Sequence, residues 1–368
     1  MTRFDKANEQ YERWLAERIP LIEADVRRKH ALMSEAPFPF LRATFFRWSQ
    51  VWPALCPETQ NAPIVLAVGD LHVENFGTWR DVDGRLVWGI NDFDEAEWMP
   101  YTCDLVRLAT SARMAIDAGH LGLPHLRASK TILEGYVACL QAGGRPIVLA
   151  EDHGALRHMA VERLKDPQLF WRKLQALPEL KSLPPASAMK GLRKMLPGRD
   201  LKTRLSYRVS GLGSLGRHRY LALAEFEGGL VAREAKQLTD SAWLWAWPPA
   251  KGRRKTKIHY EEILDRAIRC HDPFVRLRED WIVRRLAPDC SRIELSSLPA
   301  KHDAVRLLQA MGWETANVHL GTCEAKVLLE DIKSREKEWL HEAAAVMVDA
   351  VQKDWKAWKS RKPVLAKA

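Results

Sequence analysis

The segment from residue 201 to 236 limits the fold most, because it alternates strand-like runs with glycine turns. Ser206–Ser210, Tyr220–Phe226 and Leu230–Lys236 are the strand-like runs. A glycine-rich turn separates the first two runs, and a Gly-Gly pair separates the last two. Short runs joined by such turns are typical of an antiparallel meander. We therefore predict a small antiparallel sheet in this part of the chain.

The first turn of this meander reads Gly211-Leu-Gly213-Ser214-Leu-Gly216, a complete G-x-G-x-x-G pattern. Dinucleotide-binding folds and kinases both use this pattern to bring backbone close to phosphate groups. The dinucleotide-binding fold needs a helix at the last glycines, whereas here a strand follows, which favours the kinase arrangement. Lys236, in the third run, is placed to reach the phosphates; an ordinary edge-strand charge is the alternative. We expect these glycines, Ser214 and Lys236 to bind a nucleotide.

Two polar clusters in the first hundred residues each follow an apolar strand-like run. Gly69–Gly77 follows the run Ile64–Val68, and Asn91–Glu95 follows the run Leu86–Ile90. Between them, Asp81-Val-Asp-Gly84 predicts a hairpin turn, because the remaining ligand positions of a calcium loop are missing. Asp, Asn and Gly also form ordinary turns, so each cluster alone has a purely local interpretation. Their recurrence after two strands favours a functional one.

The types of side chain in the two clusters suit a magnesium–phosphate site. Mg²⁺ prefers hard oxygen ligands and takes only one or two carboxylates from a protein, with phosphate and water completing the shell. A phosphoryl-transfer site also needs a carboxylate near the acceptor hydroxyl. We expect the two strands to end side by side, which would bring Asp70, Asn75 and Asp92 together.

These residues carry a resemblance to the protein kinases and to the aminoglycoside and choline kinases. Asp70-Leu-His-Val-Glu-Asn75 resembles the Asp-x-x-x-x-Asn catalytic loop of that superfamily. The His within it and the preceding Gly69 are similar to the small-molecule branch. Asp92-Phe-Asp94 resembles the metal-binding segment of that branch, and Pro100 and Asp104 occupy the places where a proline and an Asp-Leu helix start follow.

The resemblance implies a role for each of these residues, with ATP and Mg²⁺ as cofactors. Asp70 would orient or deprotonate the acceptor. Asn75, Asp92 and Asp94 would bind magnesium, and Asp104 would cap its helix and hold the loop. The His in the loop is interpreted as packing and hydrogen bonding there rather than contacting phosphate.

The order of the parts along the chain differs from that of ordinary kinases. The glycine turn and Lys236 follow the catalytic loop instead of preceding it, and the helical pattern from 303 to 320 resembles the helix that normally leads into that loop. A circularly permuted kinase-like fold explains this order. Kinases pair the strand lysine with a helical glutamate, and Glu261 is our candidate, with Glu262 as the alternative.

Considered as a whole, the chain resembles one bacterial family, the domain of unknown function 2252 family, on these motifs and on Pro39-Phe-Leu-Arg42. We predict an α+β, two-lobe kinase-like fold in circularly permuted order. The expected parts are a helical part over 1–200 with the catalytic and metal loops, a β-rich nucleotide part over 201–298, and helices over 299–368 that complete the larger helical lobe.

Helical periodicity covers most of the remaining chain. Helices are expected over 5–33 with an interruption at Pro20, 40–52 after a break at 37–39, 104–142 with a break at 122–124, much of 150–196, 259–280, 303–320 and 323–360.

Composition narrows the class of protein. The 368 residues carry a formal net charge of +10, with dense basic runs at 251–257 and 353–367 that are interpreted as a solvated loop and terminus. The six cysteines form no C-x-x-C pair, no apolar signal core follows the first residues, and no run is long enough to span a membrane. We expect a soluble, reduced, cytoplasmic protein that does not bind membranes.

These observations together predict an ATP- and Mg²⁺-dependent phosphotransferase whose acceptor is open, with a preference for a small molecule. One alternative is a nucleotide-binding module without turnover. Another is a nucleic-acid-binding protein, which the basic charge would favour.

Overall fold

The computed structural model of the chain describes residues 3–149, 154–161, 166–198, 200–249, 257–290 and 303–361. Most of the basic run at 251–257, the end of the tail beyond 361 and the last residues of the β-rich part at 291–298 lie outside these ranges.

Helices make up about half of the described ranges, and the strands fall in three groups. The helices are α1 Phe4–Ala16, α2 Glu23–Glu35, α3 Pro37–Ala43, α4 Phe45–Leu55, α5 Tyr101–Asp117, α6 His125–Ala142, α7 Gly154–Val161, α8 Pro167–Gln175, α9 Ala186–Met195, α10 Ala242–Ala246, α11 Tyr260–Arg266, α12 Ala304–His319, α13 Ala325–Ser334 and α14 Trp339–Lys359. The strands are β1 Ile64–Ala67, β2 Phe76–Arg80, β3 Leu86–Ile90, β4 Glu97–Pro100, β5 Ile147–Val148, β6 Thr203–Tyr207, β7 Arg219–Phe226, β8 Gly229–Gln237, β9 Val275–Arg278 and β10 Trp281–Leu286.

The helical core forms around the crossing of α6 and α12. A Cβ atom at Gly135 of α6 would clash with the Gln309 carbonyl of α12, and one at Gly312 would clash with the Ile132 carbonyl of α6. Two glycines therefore let these helices approach to backbone contact. Tyr136 on α6 is fully buried beside this crossing. Helices from both ends of the chain thus share one apolar core.

The predicted meander is present as part of a five-stranded antiparallel sheet in the order β6-β7-β8-β10-β9. Lys236 lies in β8 at the centre of this sheet, opposite Arg219 of β7 on one side and Ile282 of β10 on the other. Because side chains alternate between faces along a strand, Glu234 and Lys236 point to the same face. The position of Lys236 is therefore central and not at an edge.

The strand pairing near the polar loops differs from our expectation. β1 pairs with β4, and β3 pairs with β2 and β5, so the two strands expected to end side by side belong to different sheets. The predicted hairpin turn explains this, since Asp81 accepts hydrogen bonds from the backbone N–H groups of Asp83 and Arg85 and returns the chain to form β2 and β3. β2 and β4 were not predicted because they are short and rich in polar residues and Trp.

Two helix predictions were wrong for reasons that involve proline or strand periodicity. The expected break is present at Ala36, between α2 and α3, but residues 37–39 are helical. They begin α3 because a proline in the first helical turn does not remove an intrahelical hydrogen bond. The expected helix over 259–280 ends at Arg266, and Pro273 precedes the alternating strand β9. The interruption around Pro20 is confirmed as the gap between α1 and α2.

The chain is thus a mixed α+β protein with small antiparallel sheets and many helices, as predicted. The circular permutation and the three-part division remain predictions. Within the described ranges, none of the helices combines the length and the apolar composition needed to cross a bilayer.

Candidate functional site

The loop after β1 is held in place by Asp104, near the start of α5. The Asp104 carboxylate accepts hydrogen bonds from the backbone N–H groups of Val68 at 2.7 Å and Gly69 at 2.8 Å. It also lies 3.0 Å from His319 Nε2 of α12 and is fully buried. The expected loop-holding contact is therefore present. The expected helix cap is wrong, because α5 already begins at Tyr101 and its cap residue makes no side-chain bond.

Asp70, the predicted catalytic residue, is bound by a buried arginine from α5. Arg107 donates hydrogen bonds from Nε at 2.9 Å and from Nη2 to the same carboxylate oxygen, and Nη2 also donates to the Leu41 carbonyl. The rings of Phe45 and Trp48 lie about 5 Å from its guanidinium carbon. Arg107 is therefore fixed from several sides and orients Asp70.

The environment of Asp70 favours its neutral form at acidic pH. Burial raises the pKa of the Asp70 carboxyl to about 7, against the opposing effect of Arg107 and with further contributions from the charges of Glu95 and Asp92. A carboxylate with a pKa near the working pH is suited to accepting a proton from an acceptor hydroxyl.

The rest of the loop is organised by hydrogen bonds among its own residues. Asn75 Oδ1 accepts from the backbone N–H of His72 at 2.7 Å, and His72 Nδ1 accepts from that of Glu74 at 3.2 Å. Glu74 also forms an ion pair with Arg42 at 2.5 Å. The buried His72 packs edge-on against Phe38, in agreement with a role inside the loop.

Lys236 of β8 reaches the second polar cluster and binds its two aspartates. Its ammonium group forms a close ion pair with Asp94 and lies 3.5 Å from Asp92. Burial lowers the pKa of Lys236, and the two carboxylates oppose this effect. Burial and the neighbouring Asp92 raise the pKa of Asp94, and Lys236 opposes that rise. Asp94 Oδ1 is buried and has no hydrogen-bond partner.

The expected pairing of Lys236 with a glutamate of α11 is not present. Among the ion pairs of the described residues, Glu262 contacts Lys257, His259 and Arg266. Glu261 lies in the first turn of α11 and faces a different cavity. The aspartates after β3 hold the lysine instead.

The glycine turn lies directly above Asp70. A Cβ atom at Gly213 would be 3.0 Å from the Arg42 carbonyl, a tight contact, and 3.6 Å from Asp70 Oδ2, an ordinary one, so the turn packs closely over both residues. Ser214 Oγ accepts a hydrogen bond from Arg219 at 2.9 Å. Gly216 has a φ of +98°, and a Cβ atom there would be 2.8 Å from Val26 of α2. Gly216 therefore shapes the turn and packs on a helix.

One small cavity of about 50 Å³ collects most of the predicted site residues. Of the candidates, Asp70, Asn75, Asp92, Asp94, Gly211, Gly213, Ser214 and Lys236 line it. Gly216 and Glu261 are not among its lining residues. The polar loops of the first hundred residues therefore meet the glycine turn and Lys236, which follow about 140 residues later in the sequence, in one cavity.

Other side chains in this cavity were not predicted. Tyr11 and Lys29 come from the N-terminal helices, where nothing in their amphipathic pattern distinguishes them from packing residues. Arg217 directly follows the glycine turn in the sequence, and this adjacency is the signal that could have identified it as a site residue. Its guanidinium lies 3.2 Å from Glu95 and 4.0 Å from Asp94.

A larger cavity of about 560 Å³ adjoins this one and shares Arg42, Gly211 and Leu212 with it. Its lining contains seven arginines and four acidic residues, together with aromatic rings. The arginines are Arg42, Arg208, Arg219, Arg269, Arg276, Arg284 and Arg285. The lining therefore favours a ligand with negative charge.

Three of these arginines are held by one buried carboxylate, Glu234, two residues before Lys236. Arg208 forms a close ion pair with it, and Arg219 and Arg284 bind it at 2.7 and 2.8 Å. Burial alone would raise the pKa of Glu234, but the arginines hold it well below the usual range. Three guanidinium groups on one carboxylate leave two positive charges in excess at the cavity wall.

The described residues contain no group of three or more His, Cys, Asp or Glu that could hold a metal ion by themselves. Mg²⁺ at a phosphate site does not require such a group, because phosphate and water oxygens supply most of its ligands. Asp92, Asp94 and Asn75 line the same cavity, and the unpartnered Asp94 Oδ1 is an acceptor that suits a cation or a water bound to it. These residues therefore fit Mg²⁺ with a nucleotide.

Comparison with known proteins gives one match. Residues 21–151 and 203–361 match the family DUF2252, described as an uncharacterized protein conserved in bacteria. Both polar loops, the glycine turn and Lys236 lie within the matched ranges. No curated protein and no solved structure matches the chain.

Proposed function

The chain belongs to the DUF2252 family, and we propose that it is an ATP- and Mg²⁺-dependent phosphotransferase that acts on a small-molecule acceptor. The observation that carries this proposal is the cavity in which Lys236, on Asp92 and Asp94, meets the glycine turn and Asp70. A lysine, aspartates and a glycine-rich turn are the parts that phosphoryl transfer needs.

The arrangement of the sheet supports nucleotide binding. The glycine turn joins the first two strands of the meander, β6 and β7, and Lys236 lies in the third, β8, as in the kinases that the sequence resembles. The adjoining cavity of about 560 Å³ lies within the usual size range of ligand sites and would receive the rest of the nucleotide. Its excess of arginine favours a polyphosphate over a neutral ligand.

The aspartates after β3 would hold the magnesium ion, together with Asn75. Bound there, Mg²⁺ supplies charge neutralisation for the phosphate oxygens. Lys236 would exchange part of its contact with Asp94 for the phosphates, because Mg²⁺ held by the aspartates would compete with the ammonium group for their oxygens. Mg²⁺ would thus replace the lysine at the aspartates, and the phosphates would replace the aspartates at the lysine.

Asp70 would act on the acceptor. The acceptor oxygen attacks the terminal phosphorus, and the bond from that phosphorus to the bridging oxygen breaks, with its electron pair remaining on ADP. The acceptor proton passes to the Asp70 carboxylate and from there to solvent. Arg107 keeps the carboxylate in position during this transfer.

The direct test is calorimetric titration with ATP, with and without Mg²⁺, on the wild type and on Asp92→Ala, with ATP turnover followed in the same samples. We expect binding that needs Mg²⁺ and is weakened at least tenfold in Asp92→Ala. Turnover should be lost in Asp70→Asn while ATP binding remains. Binding without turnover under any acceptor would favour a non-catalytic nucleotide-binding module, and absence of binding at millimolar ATP would refute the proposal.

A further inference from the structure

Helix α2 lies against the glycine turn and directs a lysine into the site. The Ile22 backbone N–H, at the start of α2, donates to the Gly216 carbonyl at 2.9 Å. Val26 packs against Gly216, and Asp25 accepts a hydrogen bond from the Tyr207 hydroxyl of β6. Lys29 follows Val26 by three residues, which places both on the same side of the helix. The helix therefore aims Lys29 at the cavity below the turn.

Lys29 is buried and its ammonium group has no close partner. Its exposed fraction is 5%, it lines the cavity that contains Asp70, and within the described ranges it forms neither a hydrogen bond nor an ion pair within 4 Å. The carboxylates of Glu12, Glu95 and Asp70 act on it only from a greater distance. Glu12, on α1, is already bonded to His30 at 2.5 Å. The Lys29 side chain is therefore buried without an ion pair of its own to any residue that the structure describes, and its ammonium group faces the cavity, where it is available to an anionic ligand.

A second cation faces the same space. Arg217 is 5% exposed, and its Nη1 atom is buried without a hydrogen-bond partner although the guanidinium contacts Glu95 through Nη2. Lys29 and Arg217 both line the cavity, so two cations face the same space. The wall also carries the carboxylates of Asp70, Asp92, Asp94 and Glu95, so an anion would be held on the side of Lys29 and of the unpartnered Arg217 Nη1.

We propose that Lys29 and Arg217 form a subsite for an anionic group of the acceptor, a phosphate or a carboxylate that is close to the hydroxyl to be phosphorylated. This inference rests on the proposed function, since it assigns the acceptor side of that site. It identifies the acceptor class as small hydroxy acids or phosphate esters.

The positions of the two lysines distinguish an acceptor subsite from a second nucleotide contact. Lys236 interacts with Asp92 and Asp94, where the magnesium and the nucleotide phosphates would lie. Lys29 forms no ion pair with these aspartates, and after Glu12 the carboxylates that act on it from a distance are Glu95 and Asp70. Asp70 is the residue that would take the acceptor proton. The anion beside Lys29 therefore belongs to the molecule whose hydroxyl contacts Asp70.

The size of the cavity limits the anion. A volume of about 50 Å³ has room for a few water-sized groups. Because the proposed function also places the terminal phosphate of the nucleotide at this cavity, only a compact anion such as a phosphate or a carboxylate is compatible with it. We therefore expect an acceptor whose anionic group and hydroxyl are separated by only a few atoms.

The test is calorimetric titration of the full chain with inorganic phosphate in two series. In the first series the protein is saturated with Mg²⁺ and ADP, and in the second with Mg²⁺ and the β,γ-imido analogue of ATP, which fills the position of the terminal phosphate. The variant Lys29→Met keeps the length of the side chain and removes its charge. Lys6→Met, at an exposed position of α1, is the matched control.

We expect the wild type and Lys6→Met to bind phosphate in both series, and Lys29→Met to bind it at least tenfold more weakly in both. The affinity of Lys29→Met for ADP with Mg²⁺ should stay within twofold of the wild type. Its melting temperature should equal or exceed that of the wild type, because the variant removes a buried charge that has no close partner.

Three outcomes would overturn the inference. Phosphate binding only in the ADP series would assign Lys29 to the terminal phosphate of the nucleotide. If the wild type does not bind phosphate, or if Lys29→Met binds it as tightly as the wild type, Lys29 does not form an anion subsite. A clear loss of melting temperature in Lys29→Met would assign the lysine to folding. Failure of ADP to bind at all would instead contradict the proposed function, so the two failures are distinguishable.

Discussion

The two contacts between a basic side chain and the polar loops differ in kind. At the first loop, Arg107 binds Asp70 with two nitrogens, binds the Leu41 carbonyl and is surrounded by aromatic rings, so the contact has several simultaneous anchors. At the second, Lys236 holds two aspartates with one ammonium group, and Asp94 keeps an oxygen without a partner.

This difference between the two contacts indicates which part of the site is fixed and which part can exchange its ligands. An arginine fork with several partners orients its carboxylate and resists replacement. A lysine is a point charge on a flexible stem, so Mg²⁺ can take its place at a carboxylate and phosphate can take the place of the carboxylate at the lysine. The fixed contact belongs to the helical core, whereas the exchangeable one joins the sheet to the loop after β3.

Removing the fixed contact should have the largest effect. Arg107→Met leaves the partly buried Asp70 and the Leu41 carbonyl without their donor, and breaking a buried ion pair costs about 3–5 kcal/mol in the free energy of unfolding. Urea denaturation measures this change. Arg113→Met is the control and should change stability much less, because among the described residues Arg113, on the same helix, hydrogen-bonds only to His341. Equal losses in both variants would contradict a special role for Arg107.

Removing the exchangeable contact should affect binding more than stability. Lys236→Met should weaken binding of ATP with Mg²⁺ by about 10- to 100-fold, or roughly 1.4–2.7 kcal/mol, because the phosphates lose their central cation. Calorimetry measures the affinity, and Lys190→Met, at a largely exposed position on α9, should bind like the wild type. If Lys236→Met lost as much stability as Arg107→Met, the two contacts would be of the same kind.

The pH dependence of turnover should follow Asp70. The residue accepts a proton only when it is ionised, so turnover should rise with pH, with a midpoint near its pKa of about 7, and fall about tenfold per pH unit below it. Rising pH has the opposite effect on the free energy of unfolding. Because the folded pKa lies above the ordinary value of 3.8, the contribution of this group to stability falls as the pH rises from about 4 to about 7. A rate profile recorded from pH 5.5 to 8.5 tests the first statement, and a flat profile would exclude Asp70 as the base.

The smallest effect is expected at Glu261. Because Lys236 is held by the aspartates after β3, Glu261→Gln should leave the affinity for ATP with Mg²⁺ within about twofold of the wild type. The same calorimetric titration measures it. A loss of affinity as large as that of Lys236→Met would mean that Glu261 replaces the aspartates as the partner of Lys236 when the nucleotide binds.

Local patterns predicted much of the fold and the site. Neighbouring residues largely determine local structure. Short-range periodicity and turn residues therefore predicted the meander, the hairpin turn at Asp81–Gly84 and most helices. The helix expected over 259–280 failed because Pro273 and the alternation in β9 overrode a weak periodicity. The pairing of β1 with β4 could not be foreseen, because strand partners depend on the whole chain path.

The sequence by itself determined which residue types are available for phosphate and magnesium chemistry, since the glycine turn, Lys236 and the two acidic loops are readable as motifs. Which of these residues meet depends on the tertiary structure alone. It places Gly213 over Asp70, Lys236 on the aspartates instead of on Glu261, and the buried Lys29 in the cavity that Asp70 lines. Contacts between residues far apart in sequence arise from the packing of whole elements, and no local pattern encodes the distance between two such side chains.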